Sequence, residues 1–163
     1  MKKAEIIPHK IFTLPALSKQ IARWRLASKT ISFTNGCFDI LHLGHIASLS
    51  EAAKEGDMLI VGINSDDSVR KLKGEHRPIN DQQSRATILA SLLMVDAVIV
   101  FEEDTPLELI NAIVPDVLVK GGDYTLEQIV GAKEVMESGG RVVINPIVPG
   151  FSTTELIEKI HQL

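Results

Sequence analysis

The chain has 163 residues, of which 45% are hydrophobic and 23% charged, and this composition predicts one globular domain. Its formal net charge is −4 and only 4% of its residues are aromatic, which argues against a general nucleic-acid-binding surface. The single cysteine, Cys37, excludes an internal disulfide and agrees with a reducing cytoplasm. We find no apolar run near the ~18 residues of a membrane span and no signal-peptide pattern in the first residues. We therefore expect a cytoplasmic protein without membrane insertion.

The first predicted elements are a helix and a strand. Apolar residues recur at helical spacing between residues 14 and 27: Leu14, Leu17, Ile21 and Trp24. We expect this helix to pack on the domain or on a partner chain. Residues 30–34 are predicted to be the first strand. We therefore divide the chain into an N-terminal helical extension, residues 1–29, and a main domain, residues 30–163.

The stretch TNGCFDILHLGH, residues 34–45, follows this strand and leads into a second helix. A strand, a turn of small residues and a helix start present backbone N–H groups to an anion. His42 and His45 lie at this helix start, with Gly44 between them. The two histidines could bind phosphate, ligate a metal or be structural. The chain offers no cysteine or nearby His and Glu set to complete a tetrahedral zinc site.

Four further apolar runs predict strands that alternate with helices: MLIVGIN at 58–64, AVIVF at 97–101, VLVK at 117–120 and RVVIN at 141–145. Such alternation is typical of a parallel α/β sheet with right-handed crossovers. The sequence therefore predicts an α/β fold with a five-stranded parallel sheet and helices on both faces.

Capping residues mark the predicted helix starts. Asp81 should cap a helix that runs to about Leu93, and the side chain of Leu93 should face inward. Thr105 should cap the next helix, with proline at its first position. Thr125 and Ser152 each begin a capping-box pattern.

Ligands of parallel α/β sheets bind beyond the carboxyl ends of the strands. Candidate functional residues follow four of the predicted strands: Thr34, Asn35 and Gly36; Asn64, Ser65 and Asp66; Gly121, Gly122 and Asp123; and Phe151, Ser152, Thr153 and Thr154. Ser152 could be only a helix cap, but the cap does not explain the hydroxyls of Thr153 and Thr154. Together with the helix dipole they predict a second anion site. The Gly-Gly-Asp stretch could be a turn or could hold a base or ribose.

A cationic segment follows the second predicted strand of the main domain: Arg70, Lys71, Lys73 and Arg77. It could be a solvated loop, or it could close over phosphates beside the first strand. Arg85, taken alone, would be a surface residue.

Three other residues have alternative readings. Lys120 could be an exposed charge at a strand end. Asp39 could cap the turn or help to hold Mg²⁺ through water. Cys37 is interpreted as a small packing residue.

These features fit nucleotidyl transfer. A substrate phosphate is ionised at neutral pH because its second pKa is ~6, so its attack on an α-phosphorus needs no general base. The reaction needs positioning and neutralisation of charge instead. Histidine and hydroxyl donors, two helix N-termini, mobile cations and Mg²⁺ can provide both.

The HLGH motif at 42–45 and STT at 152–154 resemble the motifs of the HxGH nucleotidyltransferase superfamily. Further stretches, above all LKGEHRPIN and VLVKGGDY, resemble the adenylyltransferase domain of the bifunctional heptose-7-phosphate kinase/heptose-1-phosphate adenylyltransferase family, from about Phe33 to Ile160. This resemblance implies a Rossmann-like fold and transfer of AMP from ATP to D-glycero-β-D-manno-heptose 1-phosphate. The products would be pyrophosphate and ADP-heptose for lipopolysaccharide core biosynthesis. Mg²⁺ would be bound mainly through the phosphates of ATP, without a direct protein ligand.

The resemblance also implies residue roles. His42 and His45 would stabilise the triphosphate in the transition state, Lys73 would reach the phosphates, and Arg85 would contact the β- or γ-phosphate. The nucleotide would be bound by the other members of the motifs: Thr34, Asn35, Gly36, Phe38, Asp39, Gly121, Asp123, Ser152, Thr153 and Thr154.

The bifunctional family also carries a ribokinase-like domain that this chain lacks. The chain would therefore be a stand-alone adenylyltransferase or an excised domain, working with a separate heptose kinase. Relatives are often dimers, so a homodimer is expected, with the N-terminal helix at its interface. A glycerol-3-phosphate cytidylyltransferase, or another sugar- or polyol-phosphate nucleotidyltransferase, is the alternative enzyme. A non-catalytic nucleotide-binding regulatory module is the alternative from another class.

Overall fold

The computed structural model describes residues 4–122, 124–146 and 150–162. Its strands are β1 (Ile11–Phe12), β2 (Ile31–Gly36), β3 (Met58–Asn64), β4 (Ala97–Phe101), β5 (Val117–Gly121) and β6 (Arg141–Asn145). All pair in parallel in one sheet of order β1-β4-β3-β2-β5-β6. The predicted Rossmann-like α/β sheet is confirmed. The prediction missed β1, because two residues are too short to form a recognisable apolar run.

Helices cover both faces of this sheet. They are α1 (Leu14–Leu26), α2 (Leu43–Lys54), α3 (Asp66–Lys73), α4 (Gln82–Ala90), α5 (Leu107–Ile113), α6 (Ala132–Glu137) and α7 (Thr153–His161). Successive residues of β3 enter opposite cores: Ile60 joins the cluster with α1, α5 and α6, whereas Leu59 and Val61 join the cluster with α2 and α4. This alternation explains the nearly continuous apolar run of β3, because both of its faces are buried.

The N-terminal segment packs on the sheet. Residues of β1 pair with Val98 and Ile99 of β4. In α1, Leu17 and Ile21 are buried within the first of the two cores. The predicted helix therefore packs on the domain itself. Within the described ranges, no helix is long and apolar enough to cross a membrane.

The ends of two helices differ from the prediction. Helix α4 ends at Ala90, and Leu93, predicted to point inward, is 97% exposed. The backbone leaves the helix there through tight turns, and Val95 takes the buried position before β4. At α5, Pro106 rather than Thr105 is the N-cap residue.

The capping boxes were also only partly correct. Thr125 is the N-cap residue of a 3₁₀ turn, Leu126–Gln128, where the predicted capping box is present and the Thr125 backbone N–H donates to Gln128 Oε1 at 2.9 Å. Ser152 is the N-cap residue of α7, but its side chain makes no capping hydrogen bond to any described residue. The Ser152 hydroxyl is therefore not committed to the helix end.

Candidate active site

A cleft of about 820 Å³ lies over the carboxyl ends of the central strands. Strand β2 lies between β3 on one side and β5 on the other, so the cleft occupies the switch point of the sheet. Most of the predicted site residues line it: Asn35, Gly36, Phe38, Asp39, His42, His45, Lys73, Ser152, Thr153 and Thr154. The fold thus brings residues from opposite ends of the sequence into one cavity.

His42 and His45 form a stacked pair at the start of α2. Their ring centroids are 3.8 Å apart, with 24° between the ring planes. The ring of Phe38 packs against His45 at a centroid distance of 5.3 Å. Both histidine Nδ1 atoms are buried and have no hydrogen-bond partner among the described residues. The Nδ1 atoms of the pair can therefore each make a hydrogen bond that no described residue makes with them.

The two histidines are neutral at neutral pH. Burial lowers the pKa of His42, and burial together with the neighbouring His42 lowers the pKa of His45 to about 4. A neutral imidazole can donate one hydrogen bond to a phosphate oxygen, and a nearby polyanion favours protonation of the ring. The pair is therefore suited to stabilise negative charge that arrives with a ligand.

Gly44 and the start of α7 surround this pair. A Cβ added to Gly44 would lie 3.1 Å from His42 Cε1 and 3.1 Å from Phe151 Cβ, so a larger residue would crowd the ring. Thr153 Oγ1 donates a hydrogen bond to the Ile40 carbonyl oxygen at 3.4 Å. The N-termini of α2 and α7 therefore lie side by side at the cleft, as a two-sided anion site requires.

Two lysines line the cleft, one from helix α3 and one from strand β5. Lys73 ends α3, which follows β3, and Lys120 belongs to β5. Lys120 Nζ donates to Asn35 Oδ1 at 3.4 Å and lies 5.9 Å from the ring centroid of Tyr124. Burial lowers the pKa of Lys120. Neither lysine forms a salt bridge with any described carboxylate, so both are available to an anionic ligand.

Asp39 binds the loop that precedes α4, and its role toward Mg²⁺ stays a prediction. Its side chain is 1% exposed and accepts hydrogen bonds from Arg77 Nε at 2.6 Å, Ile79 N at 2.8 Å and Asn80 N at 2.9 Å. Burial alone would raise the pKa of Asp39, but these hydrogen bonds outweigh it and lower the pKa. Asp39 therefore connects the 77–80 loop to the turn between β2 and α2, residues 37–42, which we call the histidine turn.

Three of the four cations between residues 70 and 77 form salt bridges. Arg77 is paired with Asp39, and the exposed Arg70 and Lys71 pair with Asp67 and Asp104. Lys73 is the residue of this group that lines the cleft without a described salt bridge.

Arg85 does not line the cleft in this structure, which therefore gives no support to its predicted contact with the β- or γ-phosphate. Its side chain is fully buried, and its guanidinium donates to Asn80 O at 3.0 Å, Cys37 O at 2.7 Å and Asp66 Oδ1 at 2.7 Å. These three acceptors hold the group behind the histidine turn. An arginine one turn into a helix gives no sequence signal of such burial.

The other predicted nucleotide contacts either do not line the cleft or lie outside the described residues. Thr34 is buried within β2, and Gly121 ends β5; neither lines the cleft. Asp123 lies outside the described residues. The roles of these three residues therefore stay predictions. Sequence reasoning missed Tyr124, which lines the cleft and is 44% exposed, and it left Lys120 undecided.

Comparisons with known proteins identify the family of this chain. A family model described as cytidylyltransferase-like matches residues 33–159. The bifunctional protein HldE of Koribacter versatilis is 56% identical over 161 residues, which cover 97% of this chain and 33% of that protein. HldE of Mesorhizobium japonicum is 54% identical over 155 residues, which cover 94% of this chain and 31% of that protein. The chain thus spans about a third of the length of these curated relatives.

Solved structures show the same fold. The lipopolysaccharide core biosynthesis protein of Thermoplasma volcanium is 31% identical with a TM-score of 0.61, over 74% of this chain and 97% of that one. Pantoate-β-alanine ligase of Francisella tularensis shares the fold at 18% identity and a TM-score of 0.53, over 90% of this chain and 76% of that one. The resemblance to the HxGH nucleotidyltransferases and to the bifunctional heptose proteins is confirmed. The chain belongs to the cytidylyltransferase-like family and is a nucleotidyltransferase.

Proposed function

We propose that this chain transfers AMP from ATP to D-glycero-β-D-manno-heptose 1-phosphate, giving ADP-heptose and pyrophosphate for lipopolysaccharide core synthesis. The observation that carries the proposal is the stacked pair of neutral histidines, His42 and His45, in a cleft that also receives Lys73 and Lys120. The HldE relatives and the Thermoplasma protein support the choice of a heptose phosphate and of this pathway.

In the proposed reaction, an oxygen of the sugar phosphate attacks the α-phosphorus of ATP. A new oxygen–phosphorus bond forms as the bond from the α-phosphorus to the bridging oxygen breaks, and that oxygen leaves with pyrophosphate. The attacking phosphate is already ionised, so no residue has to remove a proton from it. The two histidines would donate hydrogen bonds to oxygens whose negative charge grows in the transition state.

Other residues of the cleft would hold the anions in place. Lys73 and Lys120 would neutralise phosphate charge from two sides of β2. The start of α7 would add backbone N–H groups and the hydroxyls of Ser152, Thr153 and Thr154. Positioning of this kind supplies much of the rate enhancement in reactions that need little proton transfer.

Mg²⁺ would enter with ATP, bound by its phosphates, and would supply further neutralisation of charge. The carboxylates of the cleft agree with binding of Mg²⁺ mainly through ATP, because the buried one already has protein partners. The carboxylate of Asp39 is occupied by Arg77 and by the backbone of Ile79 and Asn80, whereas Asp104 and Glu155 at the rim are exposed.

A substrate matrix tests the proposal. Purified protein is given ATP or CTP together with heptose 1-phosphate or glycerol 3-phosphate, and pyrophosphate release and the nucleotide product are measured. We expect turnover with ATP and heptose 1-phosphate. The family description favours one rival, a cytidylyltransferase, and turnover with CTP and glycerol 3-phosphate alone would establish it. Binding of ATP without turnover of any pair would instead support a regulatory module.

The supply of the acceptor is part of the proposal. A sugar 1-phosphate of this kind is itself made by phosphoryl transfer, and the HldE relatives are described as bifunctional. We therefore propose that a heptose kinase provides the substrate. A homodimer is proposed as the assembled form, and light scattering of the purified protein would test it.

A further inference from the structure

Arg85 is a buried cation that the proposed chemistry does not use. Its side chain has no exposed surface, and its one carboxylate partner, Asp66, is 25% exposed. Burial of a guanidinium is costly unless each of its donors is satisfied. Here the donors reach three separate segments of the chain: the turn after β2 through Cys37 O, the loop before α4 through Asn80 O, and the start of α3 through Asp66.

Two of these three segments lead to residues that line the cleft. The turn after β2 leads directly to His42 and His45, and α3 ends in Lys73. A single side chain behind the cleft therefore links the histidine turn to the helix that presents a phosphate-binding cation.

The contact with Cys37 determines the orientation of one peptide group at the cleft. The Cys37–Phe38 peptide is trans, because the cis peptide of the described chain is Arg77–Pro78. In a trans peptide the carbonyl and the N–H point in opposite directions. Arg85 donates to the Cys37 carbonyl and does not line the cleft, whereas Cys37 and Phe38 do. The N–H of Phe38, opposite the carbonyl that faces Arg85, is therefore on the side away from Arg85.

This orientation requires support. Phe38 has a φ of +48°, in the left-handed region that an aromatic residue rarely adopts. Its N–H makes no hydrogen bond to any other described residue. The conformation is therefore maintained by its surroundings, and the hydrogen bond of 2.7 Å from Arg85 Nη1 to Cys37 O is the charged contact that reaches it.

A second set of contacts closes the network. Asn80, whose carbonyl accepts from Arg85, donates from its backbone N to Asp39 Oδ1 at 2.9 Å and from Nδ2 to Asp39 O at 2.7 Å. Asp39 belongs to the same turn as Cys37. Loss of the guanidinium would therefore loosen the turn at two points.

We propose that Arg85 is a positioning residue for nucleotidyl transfer. It orients the Cys37–Phe38 peptide with its N–H toward the cleft and holds α3, with Lys73, against the same turn. It acts through these groups and does not touch the substrate. This inference rests on the proposed function, because it assigns the residue to that reaction.

Isotope labelling tests the orientation without any need for turnover. The chain has one cysteine, so [1-¹³C]cysteine and [¹⁵N]phenylalanine together label both atoms of a single peptide bond, Cys37–Phe38. We expect Arg85→Met to shift this one carbonyl–amide cross peak. Arg70→Met, which removes an exposed arginine that pairs with Asp67, should leave it unchanged. An unchanged cross peak in folded Arg85→Met would overturn the proposal.

Kinetics test the function of the contact. A small displacement of catalytic groups can cost ~10²-fold in rate, so we expect kcat of Arg85→Met to fall by about that factor while KM for ATP changes by less than ~3-fold. Arg85→Lys should recover part of kcat, because it keeps the charge and one donor group. A rise in KM with kcat unchanged would show that Arg85 binds substrate directly and would overturn the positioning role.

Two further measurements keep the test decisive. Circular dichroism reports whether Arg85→Met folds; if it does not, Asp66→Ala removes one anchor from the partly exposed side. That variant should lower kcat less than Arg85→Met and shift the same cross peak, and wild-type values for both would contradict the proposal. If the wild-type protein turns over none of the substrate pairs, the proposed function fails, while the cross peak still tests the orientation.

Discussion

The imidazole rings of His42 and His45 are stacked with 3.8 Å between their centroids, and the Nδ1 atoms of both rings are buried beside the cleft. Two stacked imidazolium ions would repel each other, and burial adds a further penalty for charge. The free protein therefore keeps the pair neutral, and the pKa of His45 is lowered to about 4. This relationship explains how a histidine pair can serve phosphate chemistry without acting as a permanent cation.

Replacing His45 by asparagine should remove a donor that acts mainly in the transition state. We expect product formation to fall at least ~10²-fold, whereas the affinity for ATP changes much less because ground-state binding does not depend on that contact. Steady-state kinetics and calorimetric titration with ATP measure the two quantities. His9→Asn is the matched control, because His9 is exposed and lies near the N-terminus. Equal turnover in the two variants would exclude the catalytic role of His45.

The same histidine should make stability depend on pH. Its pKa is about 4 in the folded protein against an ordinary value of 6.5. Between these values the unfolded chain binds a proton that the folded chain excludes, so stability is lost as pH falls from about 6.5 towards 4. We expect the urea midpoint to drop between pH 7 and pH 5 by more in the wild type than in His45→Asn.

Burial also lowers the pKa of His42, but His42 is present in both proteins, so the difference between them reports on His45. The lowered pKa of Asp39 lies below 3.8, outside the pH window. Burial raises the pKa of Asp96, which has the opposite effect on stability, but it is present in both proteins. An equal drop in wild type and His45→Asn would mean that His45 is not the group responsible.

The sequence predicted the fold because its strands are buried on both faces and its helices separate them regularly. The apolar runs around Ile60 and Val98 are continuous for this reason. The two-residue strand β1 has no such pattern, since two residues provide no periodicity. The inward position predicted for Leu93 is wrong because helical spacing continues in the sequence beyond the end of the helix.

Cleft residues that follow a recognisable strand and turn were predicted from the sequence. Residues whose position depends on tertiary packing were not. His42 and His45 follow a strand and a small-residue turn, which is visible in the sequence. The burial of Arg85 depends on carbonyl groups supplied by Cys37 and Asn80, segments 48 and 5 residues away. Lys120 is identified as part of the cleft only when the sheet order places β5 beside β2.

Removing the charge of Lys120 should impair catalysis more than folding. A charge-assisted hydrogen bond to phosphate is worth ~1.5–3 kcal/mol, so kcat/KM of Lys120→Met should fall about 10- to 10²-fold. Thermal unfolding should change little, because methionine fills the space and ends the cost of desolvating an ammonium group. Lys133→Met removes an exposed lysine that pairs with Glu137 at 3.7 Å and is the control. Equal kinetics in both variants would contradict a role for Lys120 in anion binding.

Asp39 should be the most stability-sensitive carboxylate of the site. It is 1% exposed, its partner Arg77 is 15% exposed, and they are joined at 2.6 Å. In Asp39→Asn, Arg77 loses its counter-ion in a buried setting, which typically costs about 3–5 kcal/mol. Urea unfolding at pH 7 should therefore show a loss of about 3 kcal/mol.

Asp67→Asn provides the comparison, since Asp67 pairs with Arg70 on the surface and such a pair contributes less than about 1 kcal/mol. The pH dependence adds a second test. Because the folded pKa of Asp39 is lowered from 3.8, its stabilisation is present above that pH and is lost as pH falls through the folded value. The stability difference between wild type and Asp39→Asn should therefore shrink in strong acid. A difference that persisted there would show that the substitution disturbs packing rather than charge pairing.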